Sequence, residues 1–160
     1  MTKTWLGLSM VGGSVLMLAT SAWADSRAGE EAYRRGDFET AVKELRPLGE
    51  QGDTLAQFNL GAMYERGQGV PQDSFQAVRW YRRAAEQGLG QAQFNLGLLY
   101  NQGQGVMPNV IQAYMWVLLA AVEGIESAIK VQEIMMKDMT PAQIMEAERL
   151  AREWRPKGKE

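Results

Sequence analysis

The sequence predicts an all-α protein built as a stack of antiparallel helix pairs. Two observations carry that expectation. First, the chain repeats itself: aligning 52–87 with 88–123 gives 17 identities in 36 positions. A fixed period of this length marks a repeat architecture, in which each unit buries its apolar face against its neighbours. Second, apolar residues inside the repeat fall at helical spacing, with Ala56, Leu60, Met63 and Tyr64 at i, i+4, i+7 and i+8. The chain has no cysteine, so packing rather than disulfides must hold the stack together.

The first 24 residues read as a secretory signal. Lys3 supplies a positive start, Trp5 to Leu18 is a short apolar run, and Ala22-Trp23-Ala24 gives the small-x-small pattern of a cleavage site. The run is shorter than the roughly 20 apolar residues that span a bilayer. Cleavage after Ala24 is therefore expected, with a periplasmic or secreted product and no stable membrane insertion. An uncleaved segment anchoring the same domain is the alternative. Without residues 1–24 the chain carries 16 basic and 19 acidic residues, a net charge of −3, which offers no general attraction for nucleic acid.

Each repeat reads as two helices. The first runs from about Asp53 to Arg66 and stops at Gly67, a residue that readily takes the left-handed conformation at a helix C-terminus. The second starts at Asp73, an N-cap with Gln76 three residues on, and Asn109 with Gln112 repeats that arrangement. Gly88 and Gly124 close the second helices. Gly61 and Gly97 lie inside first helices, where glycine costs about 1 kcal/mol against alanine; a close helix crossing would offset it. Trp80 and Trp116, beside the small Ala84-Ala85 and Ala120-Ala121, are expected to wedge one large side chain against several small ones. The loop Gly67-Gln68-Gly69 recurs as Gly103-Gln104-Gly105 and lacks the Lys-Ser/Thr of a phosphate loop, so it reads as a tight turn.

The pattern Ala-x3-Leu-Gly-x2-Tyr-x2-Gly-x-Gly-Val, followed by Ala-x2-Trp and Ala-Ala, resembles the Sel-one-like repeat family, relatives of the tetratricopeptide repeats. The resemblance covers both units, 52–87 and 88–123. It implies a right-handed α-solenoid with a concave surface for partners. A degenerate unit precedes them at 28–51, where Ala41 falls in register with Ala77 and the turn is only Gly36-Asp37. With a cap at 124–155 and a tail at 156–160, the solenoid of 25–155 should hold about seven to eight helices.

In the cap, one helix is expected over Ile125–Lys137, with Ala128 standing where Ala92 does. Thr140-Pro141-Ala142-Gln143 is a strong helix start, and Pro156 ends the last helix beyond Trp154. Arg79, Arg82 and Arg83 become Met115, Leu118 and Leu119 one repeat on, which makes the helix over 111–122 nearly all apolar. Such a helix is buried on all sides. The 140–154 helix is expected to fold over it through Ile144, Leu150 and Trp154, with a homodimer through the same face as the rival.

Histidine is absent along with cysteine, which removes Cys/His metal sites and His-based catalysis. Met135, Met136, Met139 and Met145 could in principle hold Cu(I); their helical spacing reads instead as core filling. The carboxylate pairs Glu30/Glu31 and Glu146/Glu148 read as solvated faces. The basic end, Arg149 to Lys159, suits a helix C-terminus. No catalytic residue, cofactor or metal is expected. The partner would be a protein or peptide, held by a polar ladder of Asn59, Arg66, Asn95 and Gln102 along the groove, with specificity where Glu65 and Arg66 give way to Asn101 and Gln102. A passive assembly protein dimerising through 111–122 is the alternative, and an envelope enzyme ranks below both.

Overall fold

The computed structural model describes residues 27–158, so the stretch 1–24 that reads as a secretory signal lies outside the described residues. The described residues form helices and turns: α1 over 27–35, α2 (Phe38–Glu50), α3 (Thr54–Arg66), α4 (Ser74–Glu86), α5 (Gly90–Gln102), α6 (Val110–Val122), α7 (Glu126–Asp138) and α8 (Pro141–Glu153). Helices α1 to α6 make three antiparallel pairs stacked as an α-solenoid, and α7 stands where the first helix of a further unit would. Among the described residues no helix is long and apolar enough to cross a membrane.

Local chemistry sets the boundaries. The Asp53 carboxylate accepts from Ala56 N at 2.7 Å, Asp73 from the amides of Phe75 and Gln76, and Asn109 from Gln112 N at 3.0 Å. Each cap satisfies amides left without a partner by the first helical turn. At α8 both halves of a capping box form between Thr140 and Gln143. The Gly-x-Gly loops do more than turn. Gly69 and Gly105 have positive φ, and a Cβ on either would run into the previous second helix, at the Phe38 carbonyl and the Ser74 carbonyl respectively. The second glycine is thus a contact between repeats as well as a turn residue.

The expected close crossings are present, made by a different residue. A Cβ on Gly61 would lie 2.6 Å from the Tyr81 ring, and one on Gly97 would lie 2.8 Å from Val117. Trp80 reaches backward instead, to Gly49 of α2, where an added Cβ would stand 3.1 Å from its ring. Neighbouring positions on a helix point about 100° apart, so Trp80 and Tyr81 serve two different interfaces. Between repeats, buried Gln57 donates to the Gly49 carbonyl at 2.9 Å, and buried Gln93 donates to that of Ala85 at 3.2 Å. Each glutamine satisfies a carbonyl near the end of the preceding second helix.

Helix α8 does not take the place of a second helix. It lies against α6 and barely touches α7. Ile144, Leu150 and Trp154 pack on the core, Ala147 is fully buried, and the Trp154 ring meets Trp116 edge-on at 6.1 Å. This is the cover expected for the apolar helix over 111–122. The chain then turns back to α4: Lys157 N donates to the Glu86 carbonyl at 2.7 Å, and its ammonium pairs with the Glu86 carboxylate. Lys157 thus serves the C-terminus of α4, while Arg155 donates to the Arg152 and Trp154 carbonyls at the C-terminus of α8, as expected of the basic end. Of the four clustered methionines, Met135 and Met139 are buried, whereas Met136 and Met145 face outward, against the expectation that all four fill the core.

Candidate partner-binding groove

The first helices α1, α3 and α5 line one face of the stack. On α3 the exposed edge carries Leu55, Phe58, Asn59 and Arg66. Leu55 and Phe58 form the apolar part, Asn59 and Arg66 the side toward α1. Across α1, α3 and the start of α5 lies an open depression of about 440 Å³ lined by Glu30, Tyr33, Arg34, Leu55, Phe58, Asn59, Leu89 and Gln91. Arg66 borders it through Tyr33: its guanidinium donates to the Tyr33 hydroxyl at 3.1 Å, and that hydroxyl donates to Gln68 at 3.3 Å.

The four ladder residues occupy equivalent positions of successive helices but do not have equivalent surroundings. Asn59 lines the depression, and no side-chain hydrogen bond engages it among the described residues. Asn95 stands instead near the Tyr81 hydroxyl. That hydroxyl donates to Glu65 Oε2 at 2.7 Å. Burial raises the Tyr81 phenol above its ordinary pKa, and the Glu65 carboxylate raises it further. The cluster has no counterpart one repeat upstream, where Leu45 holds the place of Tyr81, so Asn59 stays open. Arg66 is tied to Tyr33, and Gln102 is exposed. The open part of the groove thus runs from α1 across α3, at Asn59, to the first turn of α5.

Several contributors escaped sequence reading. Tyr33, Arg34 and Leu89 come from the degenerate unit and from an inter-repeat turn, where the period offers no register to follow. Arg46 and Arg82 of the second helices donate to Tyr64 and Tyr100 of the first helices that follow, at 2.7 and 2.8 Å. Three of the four carboxylates weighed for chemistry are held in ion pairs, Glu31 with Arg35, Glu146 with Arg149, and Glu148 with Arg152, and the fourth, Glu30, lines the depression. Hydrogen bonding from Arg149 holds the Glu146 carboxyl below its ordinary pKa, the reverse of what a general acid needs.

The Sel1 repeat matches residues 54–89 and 90–124. A curated relative, the exopolysaccharide production negative regulator of Rhizobium leguminosarum bv. viciae, is 42% identical over 53 residues, which are 33% of this chain and 20% of that protein. Two solved structures share the fold. The protective antigen c5321 of uropathogenic Escherichia coli, which displays an SLR fold, has a TM-score of 0.78 at 34% identity over 83% of this chain and 29% of that one. A Sel1 repeat protein from Oxalobacter formigenes has a TM-score of 0.68 at 30% identity, covering 81% of this chain and 56% of that one. This chain therefore spans a fraction of each relative's length. The chain thus carries two Sel1 repeats, matched in sequence and stacked in the fold as in these Sel1-like repeat structures; proteins of this repeat type typically act as protein–protein interaction scaffolds.

Proposed function

We propose that this chain is an exported scaffold that holds a protein or peptide partner in the groove of α1, α3 and α5, without catalysing a reaction. The observation that carries the reading is the open depression across α1, α3 and the start of α5, where the unengaged Asn59 amide stands beside exposed Leu55. A concave site with apolar lining and a few convergent polar groups is the usual form of a binding site. The lack of histidine and cysteine and the ion-paired carboxylates support binding rather than turnover. Export rests on Lys3, the apolar run from Trp5 to Leu18 and Ala22-Trp23-Ala24.

A photo-crosslinking residue placed at Asn59 or Gln91 in the intact cell should trap a discrete partner, and the same group at Phe75, on a second helix, should not. Equal trapping from all three positions, or none from the groove, would refute the groove. Fractionation with N-terminal sequencing tests the export claim: the mature chain should begin at Asp25 and leave the cytoplasm.

A further inference from the structure

The open depression has a character that narrows its ligand. Leu55, one of its lining residues, is 52% exposed. The same position carries Gln91 one repeat on and Ser127 two repeats on, so the stack does not require an apolar residue there. Phe58 and Leu89 extend the apolar surface. An exposed leucine that packing does not demand, seated in a concavity, is an anchor for an apolar side chain.

Two arginines of neighbouring first helices also stand at the depression: Arg34 lines it, and Arg66 borders it through its bond to the Tyr33 hydroxyl. Among the described residues neither lies within ion-pair distance of a carboxylate. The nearby acids are engaged elsewhere: Glu31 with Arg35, and Glu65 with the Tyr81 hydroxyl. Glu30 is the one carboxylate lining the depression. Two guanidiniums without anions, each able to bind a carboxylate in fork geometry, favour an acidic partner.

Resting on the groove reading above, we propose that this depression takes an extended polypeptide segment in which a large apolar side chain is flanked by acidic residues. The apolar side chain seats on Leu55, Phe58 and Leu89, and the flanking carboxylates meet Arg34 and Arg66. Asn59 is placed to bond the segment's backbone.

The test uses the purified full chain and three fluorescein-labelled heptapeptides: Gly-Asp-Glu-Phe-Asp-Glu-Gly, a second with lysine at each acidic place, and a third with alanine for phenylalanine. Fluorescence anisotropy at low salt should show the acidic phenylalanine peptide binding at least tenfold more tightly than either control. Leu55→Gln should weaken it at least tenfold, and Arg34→Gln with Arg66→Gln should do the same and flatten its salt dependence. Glutamine is what the next repeat carries at the places of Leu55 and Arg66, so these variants keep a side chain the fold already accepts. Absence of binding, preference for the lysine peptide, or full binding by Leu55→Gln would overturn the proposal. A partner trapped at Asn59 together with any of those results would leave the groove reading standing and reject only the acidic anchor.

Discussion

The Tyr81 hydroxyl donates to Glu65 Oε2 at 2.7 Å, and the ring of the same tyrosine fills the space that a side chain on Gly61 would need. One residue of α4 thus sets how closely α3 approaches and also engages Glu65 of that helix. Tyr81→Phe keeps the ring and removes the donor, and should cost about 1–2 kcal/mol by denaturant melting. Gly61→Ala forces a methyl into the ring and should cost about 1–3 kcal/mol, the range for overpacking.

The same hydroxyl predicts a pH dependence. Tyr81 has its pKa raised above the ordinary value of 10.0, by burial first and then by Glu65. The folded state holds the proton more tightly than the unfolded chain, so this stabilisation is fully present below pH 10 and is lost as the pH rises further. Melts of the wild type should therefore weaken more steeply above pH 10 than those of Tyr81→Phe. Parallel curves would remove Tyr81 as the cause.

A second prediction comes from comparing the two interfaces. Gln87 donates to Gln57 Oε1 at 2.8 Å, so both ends of the buried Gln57 amide are satisfied. One repeat on, Glu123 replaces Gln87 and has no proton to offer, and Gln93 Oε1 is buried without a partner. Glu123→Gln should stabilise the protein by about 1 kcal/mol, the net worth of one such bond. Gln87→Glu should destabilise it by about 1–3 kcal/mol, the cost of leaving a buried group unpaired.

The Gly-x-Gly loop offers a third. Gly69→Ala combines a left-handed φ of 70° with collision against the Phe38 backbone, which has no flexible end to yield. A loss of at least about 2 kcal/mol is expected, from backbone strain of about 1–3 kcal/mol plus the clash. A variant that melts with the wild type would show that the loop tolerates a Cβ by moving away from α2.

The C-terminal cover gives a fourth. Truncation after Met139 strips α8 from α6 and exposes Trp116 and its neighbours, so the shortened chain should self-associate or melt at lower temperature. Trp154→Ala should cost about 3 kcal/mol, at the low end for a partly buried aromatic. Lys157→Ala should change stability by less than about 1 kcal/mol, because its ion pair with Glu86 is exposed. A truncated chain that stays monomeric and equally stable would contradict the role assigned to α8.

Much of this architecture was legible in the residues themselves. The 36-residue period, the caps at Asp53, Asp73, Asn109 and Thr140, and the glycines closing each helix report on local hydrogen bonding and backbone conformation, which depend on near neighbours. The apolar character of 111–122 required a cover, and Ile144, Leu150 and Trp154 were readable as its source. Tertiary structure alone decided which neighbour each side chain meets. Repeat symmetry made Asn59 and Asn95 look equivalent, but their surroundings come from other helices: Leu45 behind one and Tyr81 behind the other. Trp80 was expected to wedge against small residues, but the 100° between neighbouring positions sends it to α2 and places Tyr81 over Gly61. The open part of the groove depends on α1, in the unit where the period is weakest. Its place beside α3 is set by packing across the repeat boundary, a non-local interaction that no single stretch of sequence contains.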